Sequence, residues 1–458
     1  MRTKLESFTL ALFEHDLGFN MTHANRRNFV LGVATAAASL SAGAQSTHAS
    51  PGAVQSATQL PKLNLAQVAT DPSYWSAVRN LYAVTPQTLN LENGYWGIMA
   101  ESVRADYLSK TDMVNRENSY YARTQFGKDA EASRTELAKA VGADTSEIAF
   151  TRGATEAMQL LIGGYNKLKA GDTVLYSDLD YDSMQYAMNW LAERRGVKVV
   201  KFNIPEPATK ANVMAAYQQA LADNPRTALL LLTHVSHRTG LVMPVADIAK
   251  LAKDKGIAVV LDAAHSWGQI DFKVDSLGID FVGFNLHKWI GAPLGVGFVY
   301  IAKSRLADVD RFMNDEDFPL ADIRSRVHTG TTNFAATLAV PTALKLHADI
   351  GPKAKELRLK HLRNYWVNQV RPMKGVEILT PNEEGMYTGI TSFRLTGKTS
   401  AADNNAIVTE LREKHGIFSV RRAGVAKGQC IRISPALFTT EADLDKFVLA
   451  MAKITAAS

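Results

Sequence analysis

Between residues 131 and 285 the chain alternates between stretches of helical hydrophobic periodicity and short runs of apolar residues. The helical spacing covers residues 132–141, 155–168, 183–195, 211–222 and 245–255, and the apolar runs fall at 173–176, 197–202, 228–232, 257–261 and 281–284. An amphipathic helix must bury one stripe, and a short continuous apolar run must be buried on both faces. A mostly parallel central sheet with helices on both faces satisfies both demands, which makes the fold class α/β. In such open sheets ligands gather beyond the carboxyl ends of the strands, so the residues just after each run are the ones to read for chemistry.

After residue 340 the texture changes. One long helical stretch, 341–370, leads into apolar runs at 377–379, 389–395 and 430–434, with a helix near 404–414 between them. The expectation is a smaller α+β domain over 341–458, a large domain over 111–340, and a segment 71–110 that packs with the small domain. A chain of 458 residues is long enough to need two cores. Its formal net charge of +6 includes no clustered basic run, so a nucleic-acid partner has no electrostatic footprint here. The single cysteine, Cys430, excludes an intramolecular disulfide and any Cys-based metal cluster.

The first 49 residues read as an address. Arg26-Arg27 precede Phe29, a weakly apolar run follows at 33–44, and Ala42-Gly43-Ala44 offers small residues for cleavage. Charged region, short apolar region and small-residue site, in that order, are the layout of a secretory leader, and the arginine pair is similar to a twin-arginine (Tat) signal. The apolar stretch is too short for a stable membrane span. Export by the Tat machinery to the periplasm or beyond is therefore expected. Met21 is an alternative start, and residues 50–70 form a polar linker.

Several strand ends carry chemistry. Asp262 follows the run 257–261 in Leu261-Asp262-Ala263-Ala264-His265, and Lys288 follows the run 281–284 in Asn285-Leu286-His287-Lys288-Trp289. Residues 151–157, Thr-Arg-Gly-Ala-Thr-Glu-Ala, follow an apolar triplet and open a helix. Such a turn presents backbone N–H groups and a positive dipole end to a phosphate, and the Thr155 hydroxyl adds a donor. Tyr181 follows the acidic turn 177–180 and offers a ring for stacking. Taken singly, each has a plainer reading. Asp262 caps a turn, Lys288 is a surface lysine, and Arg432 on an apolar strand pairs with an internal carboxylate. His234, His237 and His265 lack the spacing of a metal site.

Together these motifs resemble class V aminotransferases, a branch of the fold-type I enzymes that use pyridoxal 5'-phosphate (PLP) and that include cysteine desulfurases, kynureninases and isopenicillin-N epimerase-like proteins. The segments 261–265, 285–289, 151–157 and 233–240 carry the resemblance, which spans about residues 85–455. It implies a fold-type I PLP-dependent transferase in which Lys288 holds PLP as a Schiff base and Asp262 pairs with its pyridine nitrogen. A protonated ring nitrogen is what makes PLP an electron sink. His265 is implied beside the phenolic oxygen, Tyr181 on the ring, and Gly153, Ala154, Thr155 and His287 at the phosphate. Asn285 stands where many relatives have a phosphate-binding Ser, and His237 where many have Asn. Arg432 matches the arginine that clamps the substrate carboxylate, a task suited to a bidentate fork. Residues 330–333, Gly-Thr-Thr-Asn, match a loop that brings Thr331 to the phosphate of the neighbouring subunit, which implies a homodimer.

The reaction subtype is left open between transamination, epimerisation and elimination on an amino acid or peptide-like metabolite. A non-catalytic PLP-binding protein on the same fold is the further alternative. Cysteine desulfurases need a nucleophilic Cys on a loop before the carboxylate-binding Arg. Residues 420–427 contain none.

Overall fold

The apolar runs form a seven-stranded sheet whose central members are buried along nearly their whole length. This computed structural model describes residues 60–328 and 330–457. The expected leader, including Arg26, Arg27 and Met21, lies outside the described residues. The strands are β1 (Ile148–Thr151), β2 (Thr173–Ser177), β3 (Lys198–Phe202), β4 (Thr227–Thr233), β5 (Ala258–Asp262), β6 (Phe281–Asn285) and β7 (Gly297–Ile301), in the order β1-β7-β6-β5-β4-β2-β3. Neighbours from β6 to β3 are parallel, and β7 runs antiparallel to both β1 and β6. Alternate residues of one strand go to opposite faces. Leu230, Leu232, Val259, Leu261, Val282 and Phe284 accordingly join one apolar cluster, and Leu229, Leu231, Ala258, Val260 and Phe281 join another.

β7 breaks the helix–strand alternation: it returns from β6 without a crossover helix, which antiparallel pairing permits. Its first residue must be glycine. A Cβ on Gly297 would lie 2.4 Å from the Phe284 carbonyl oxygen and 2.6 Å from the Gly153 Cα. That close approach holds the turn after β1 against the end of β6.

The helices Phe126–Val141, Ala154–Gly164, Asp182–Arg195, Lys210–Asp223 and Val245–Lys253 occupy the periodic stretches. The single helix expected over 341–370 is two, Val340–Ile350 and Pro352–Val370. Gly351 between them takes φ +86°, and Pro352 has no N–H to continue the first ladder, so the chain stops and restarts there. The helix Glu101–Thr124 lacks the strong apolar stripe that periodicity detects; among its residues only Val103 and Tyr121 are buried.

The second sheet is antiparallel: Val420–Arg422, Cys430–Ile433, Thr391–Leu395 and Val376–Ile378, in that order. The segment 60–99 touches both parts of the fold. Tyr74, Trp75 and Val78 pack with Val235, Trp289 and Leu359, whereas Leu89–Asn90 pairs in parallel with Ile417–Phe418. The C-terminal core is built on Trp366, fully buried and edge-on to Phe447 at 5.3 Å. Trp366→Ala should destabilise the protein by about 3–5 kcal/mol through lost burial and an unfilled cavity; urea unfolding of the two proteins measures it.

Candidate active site

Five strands of the large sheet deliver side chains to one place. Asp262 ends β5, Asn285 ends β6, Thr233 ends β4, Gly153 to Thr155 follow β1, and Tyr181 follows β2. Lys288 stands three residues past β6. All of them line a single cavity of about 490 Å³, which Gly94, Tyr95 and Trp96 close on one side and Arg422 and Arg432 on another. The location is the one expected for an open α/β sheet. Tyr181 is set by the turn before it. The buried Asp180 carboxylate accepts from Ser177 N at 2.6 Å and Ser177 Oγ at 3.0 Å, and Gln185 Nε2 donates to the Asp180 carbonyl at 2.7 Å. Burial pushes Asp180 up to about 7.

Lys288 sits in a hydrogen-bonded chain that favours its neutral form. The Trp289 indole N–H donates to His265 Nδ1 at 3.4 Å, and His265 Nε2 lies 3.1 Å from Lys288 Nζ. An indole only donates, so Nδ1 must accept. Burial, reinforced by Lys288, holds the imidazole pKa well below its usual range, so the ring is neutral and Nε2 carries the hydrogen. That hydrogen needs a lone pair on Nζ, which only a neutral amine has. Lys288 is biased the same way: burial brings it down to about 8, with Asp262 opposing and Arg432 and Arg422 assisting. The neutral amine is the form that attacks an aldehyde. Uptake of PLP by the apoprotein should therefore accelerate as pH rises and level off above about 8, well before the ordinary lysine range; stopped-flow absorbance over a pH series measures this.

Asp262 is buried. One carboxylate oxygen accepts from Ala264 N at 2.9 Å, and the other has no hydrogen-bond partner in the described chain. Burial raises its pKa, with the Ala264 N–H and the Lys288 charge opposing. A cationic ring nitrogen is the kind of partner this oxygen lacks. His237 Nδ1 is likewise buried on the cavity wall without a hydrogen-bond partner among the described residues.

The helix Ala154–Gly164 opens at the cavity. The N–H groups of Thr155 and Glu156 and the Thr155 hydroxyl have no acceptor in the described chain, which leaves them for an anion. Ala154 N is not free in this way: it donates to Asn285 Oδ1 at 2.7 Å. A Cβ on Gly153 would come 2.9 Å from that same oxygen. Asn285 thus buttresses the turn, a different task from the phosphate contact the resemblance implies. His287 Nδ1–H donates to the Val296 carbonyl at 3.1 Å, and burial takes the ring down to about 4.

A model of the aminotransferase class-V family matches residues 100–447. The chain belongs to that family. It is a PLP-dependent class V enzyme, related to epimerases and cysteine desulfurases. It is 28% identical over 403 residues to an isopenicillin N epimerase of Streptomyces clavuligerus, covering 83% of this chain and 98% of the relative. It is 26% identical over 362 residues to a probable cysteine desulfurase of Vibrio cholerae, covering 76% and 88%. Among solved structures, a C-DES variant with glycine covalently linked to its PLP cofactor superposes with a TM-score of 0.72 at 20% identity, covering 82% of this chain and 98% of that one. The cysteine desulfurase CsdA of Escherichia coli gives 0.70 at 21%, covering 86% and 98%.

Against this class V background, Arg432 stands differently from the role the resemblance implies. Arg432 does not hold an open fork: its Nε and Nη2 both donate to the Glu92 carboxylate, the former at 3.2 Å, and Nη1 donates to the His237 carbonyl at 2.7 Å. His237 stacks edge-on against Tyr181 at 5.1 Å, and burial lowers it to about 3, so it is neutral. Thr331 is exposed and is not among the residues lining this chain's cavity. Sequence reasoning also missed Glu92, Gly94, Trp96, Thr233 and Arg422. Apart from Arg422 and Thr233 they lie on the segment before the first sheet strand, where no periodicity marks them.

Proposed function

We propose that this class V protein binds PLP through Lys288 and acts on the amino group or α carbon of an amino acid or peptide-like metabolite, in the manner of an aminotransferase. The observation that carries this reading is one cavity in which the Lys288 amine, its pKa lowered by burial, shares a wall with the unpartnered Asp262 oxygen and an open helix N-terminus. The residues present fit the group. When bound, PLP supplies an electron sink for negative charge at the substrate α carbon. Asp262 would keep a proton on the pyridine nitrogen, and Tyr181 would cover the ring. His265 would stand at the phenolic oxygen, and the Thr155 and Glu156 amides with the Thr155 hydroxyl would take the phosphate. Lys288 would hold the cofactor and is the amine placed to move a proton at the α carbon.

The purified protein mixed with a panel of amino donors tests this: a change in visible absorbance together with keto-acid product supports it, and no product with any donor counts against it. The likeness to isopenicillin N epimerases across nearly their whole length favours epimerisation as the second reading. Loss of substrate chirality without keto acid would decide for it. Sulfur transfer through a protein thiol is poorly served. Cys430 is fully buried, its S–H faces the carbonyls of Arg238 and Arg422 at 3.7 and 3.9 Å, and burial raises it to about 11.

Export and dimerisation are part of the same proposal. Arg26-Arg27 support Tat export, which periplasmic fractionation of wild type against an Arg26→Lys, Arg27→Lys protein would test. The similarity of residues 330–333 to a subunit-bridging loop supports a homodimer, which sedimentation would test.

A further inference from the structure

We propose that Glu92 is a specificity-determining residue: it fills the guanidinium fork of Arg432, so that this site does not select its substrate by a free carboxylate on the reacting carbon. The inference rests on the reading of the cavity as the PLP site, and deepens it.

Three charged groups meet at the cavity wall. Arg432 is 1% exposed, and all three of its nitrogens are committed, Nε and Nη2 to Glu92 and Nη1 to the His237 carbonyl. Arg422 Nη2 reaches the same Glu92 oxygen at 3.4 Å, and its Nε is buried with no partner. One carboxylate therefore answers two guanidiniums. Arg432 is the one satisfied in bidentate geometry, the strong form of this pairing.

Glu92 is not a loose side chain that a ligand can push aside. Its backbone N–H donates to Asn90 Oδ1 at 2.8 Å, and its residue forms a parallel bridge with Ser434, two residues beyond Arg432. On either side, Ser434 N donates to the Leu91 carbonyl at 2.7 Å, and Asn93 donates to the Ser434 carbonyl from Nδ2 at 2.9 Å and from N at 3.2 Å. Gly94 then lets the backbone lie against the guanidinium, since a Cβ there would stand 2.8 Å from Arg432 Nη2. A substrate carboxylate can take Arg432 only by leaving the buried Glu92 carboxylate with the single, longer contact to Arg422 at 3.4 Å in place of its bidentate pairing, which is unfavourable. The positive charge left over belongs to Arg422.

L-Alanine and ethylamine differ only by the carboxylate, so the holoenzyme titrated with each, followed by its visible absorbance, reads the selectivity directly. The wild type should bind the two within about threefold of each other. Glu92→Gln keeps the shape of the side chain but removes its charge, and should shift the ratio toward alanine by roughly tenfold, the size of one charge-assisted contact. A wild type that already prefers alanine by more than tenfold, with Arg432→Gln abolishing the preference, would overturn the proposal. So would an unchanged ratio in a Glu92→Gln protein that melts like wild type. If Glu92→Gln does not fold, the wild-type ratio alone decides. A wild type without a Lys288-dependent visible band would instead overturn the cofactor reading beneath it, a failure distinct from equal spectra with unequal affinities.

Discussion

Lys288→Ala should yield a folded protein that no longer carries PLP covalently, with turnover lower by roughly 10⁴-fold, the upper range for a positioned acid–base group. The size follows from the two tasks the side chain would perform. It attaches the cofactor, and it is the amine placed to move a proton at the substrate. Among the described residues no other lysine lines the cavity. Folding should survive because the Lys288 side chain has one hydrogen-bond partner, His265 Nε2, and alanine leaves a polar imidazole that water can reach through the cavity. Borohydride reduction followed by mass spectrometry of the peptide containing residue 288 reads the attachment, and added methylamine should restore part of the proton transfer. A variant that still retains covalent PLP would remove Lys288 from its assigned role.

Asp262→Asn should leave binding and fold in place and cost turnover about 10³-fold, the scale of losing one preorganised electrostatic contact. Asparagine keeps the size of the side chain, and its oxygen can still accept the Ala264 N–H. What is lost is the charge on the oxygen that has no hydrogen-bond partner among the described residues, the one proposed to hold a proton on the pyridine nitrogen. Without it the heterocycle turns neutral and withdraws electrons poorly. The loss should appear in kcat with little change in PLP affinity, since the phosphate contacts come from the helix at Ala154. Equal kcat in the two proteins would show that the ring nitrogen needs no carboxylate.

Much of this was legible before any coordinates. Asp262 and Lys288 fall at strand ends because β5 and β6 are continuous apolar runs with abrupt polar ends, a signal confined to five or six residues. The turn at 151–157 is local too. The helix break at Gly351-Pro352 was also written in the chain, yet the helical periodicity on both sides hid it. β7 was not recovered, because nothing in its own residues says that it returns antiparallel. Its position depends on Gly297 fitting against Gly153, more than 140 residues earlier.

By itself, then, the sequence determined the α/β class, the order of the first six strands of the large sheet along the chain, and which side chains stand at the carboxyl ends of those strands, since each of these follows from the local pattern of apolar and polar residues. Only the tertiary structure decided how those side chains are charged and committed. Trp289 orients His265 toward Lys288, Asn285 takes the Ala154 N–H, and Glu92 closes the fork of Arg432 across 340 positions. The reason is physical: periodicity reports what a residue must bury, whereas protonation and ion pairing depend on which distant groups share its low-dielectric surroundings.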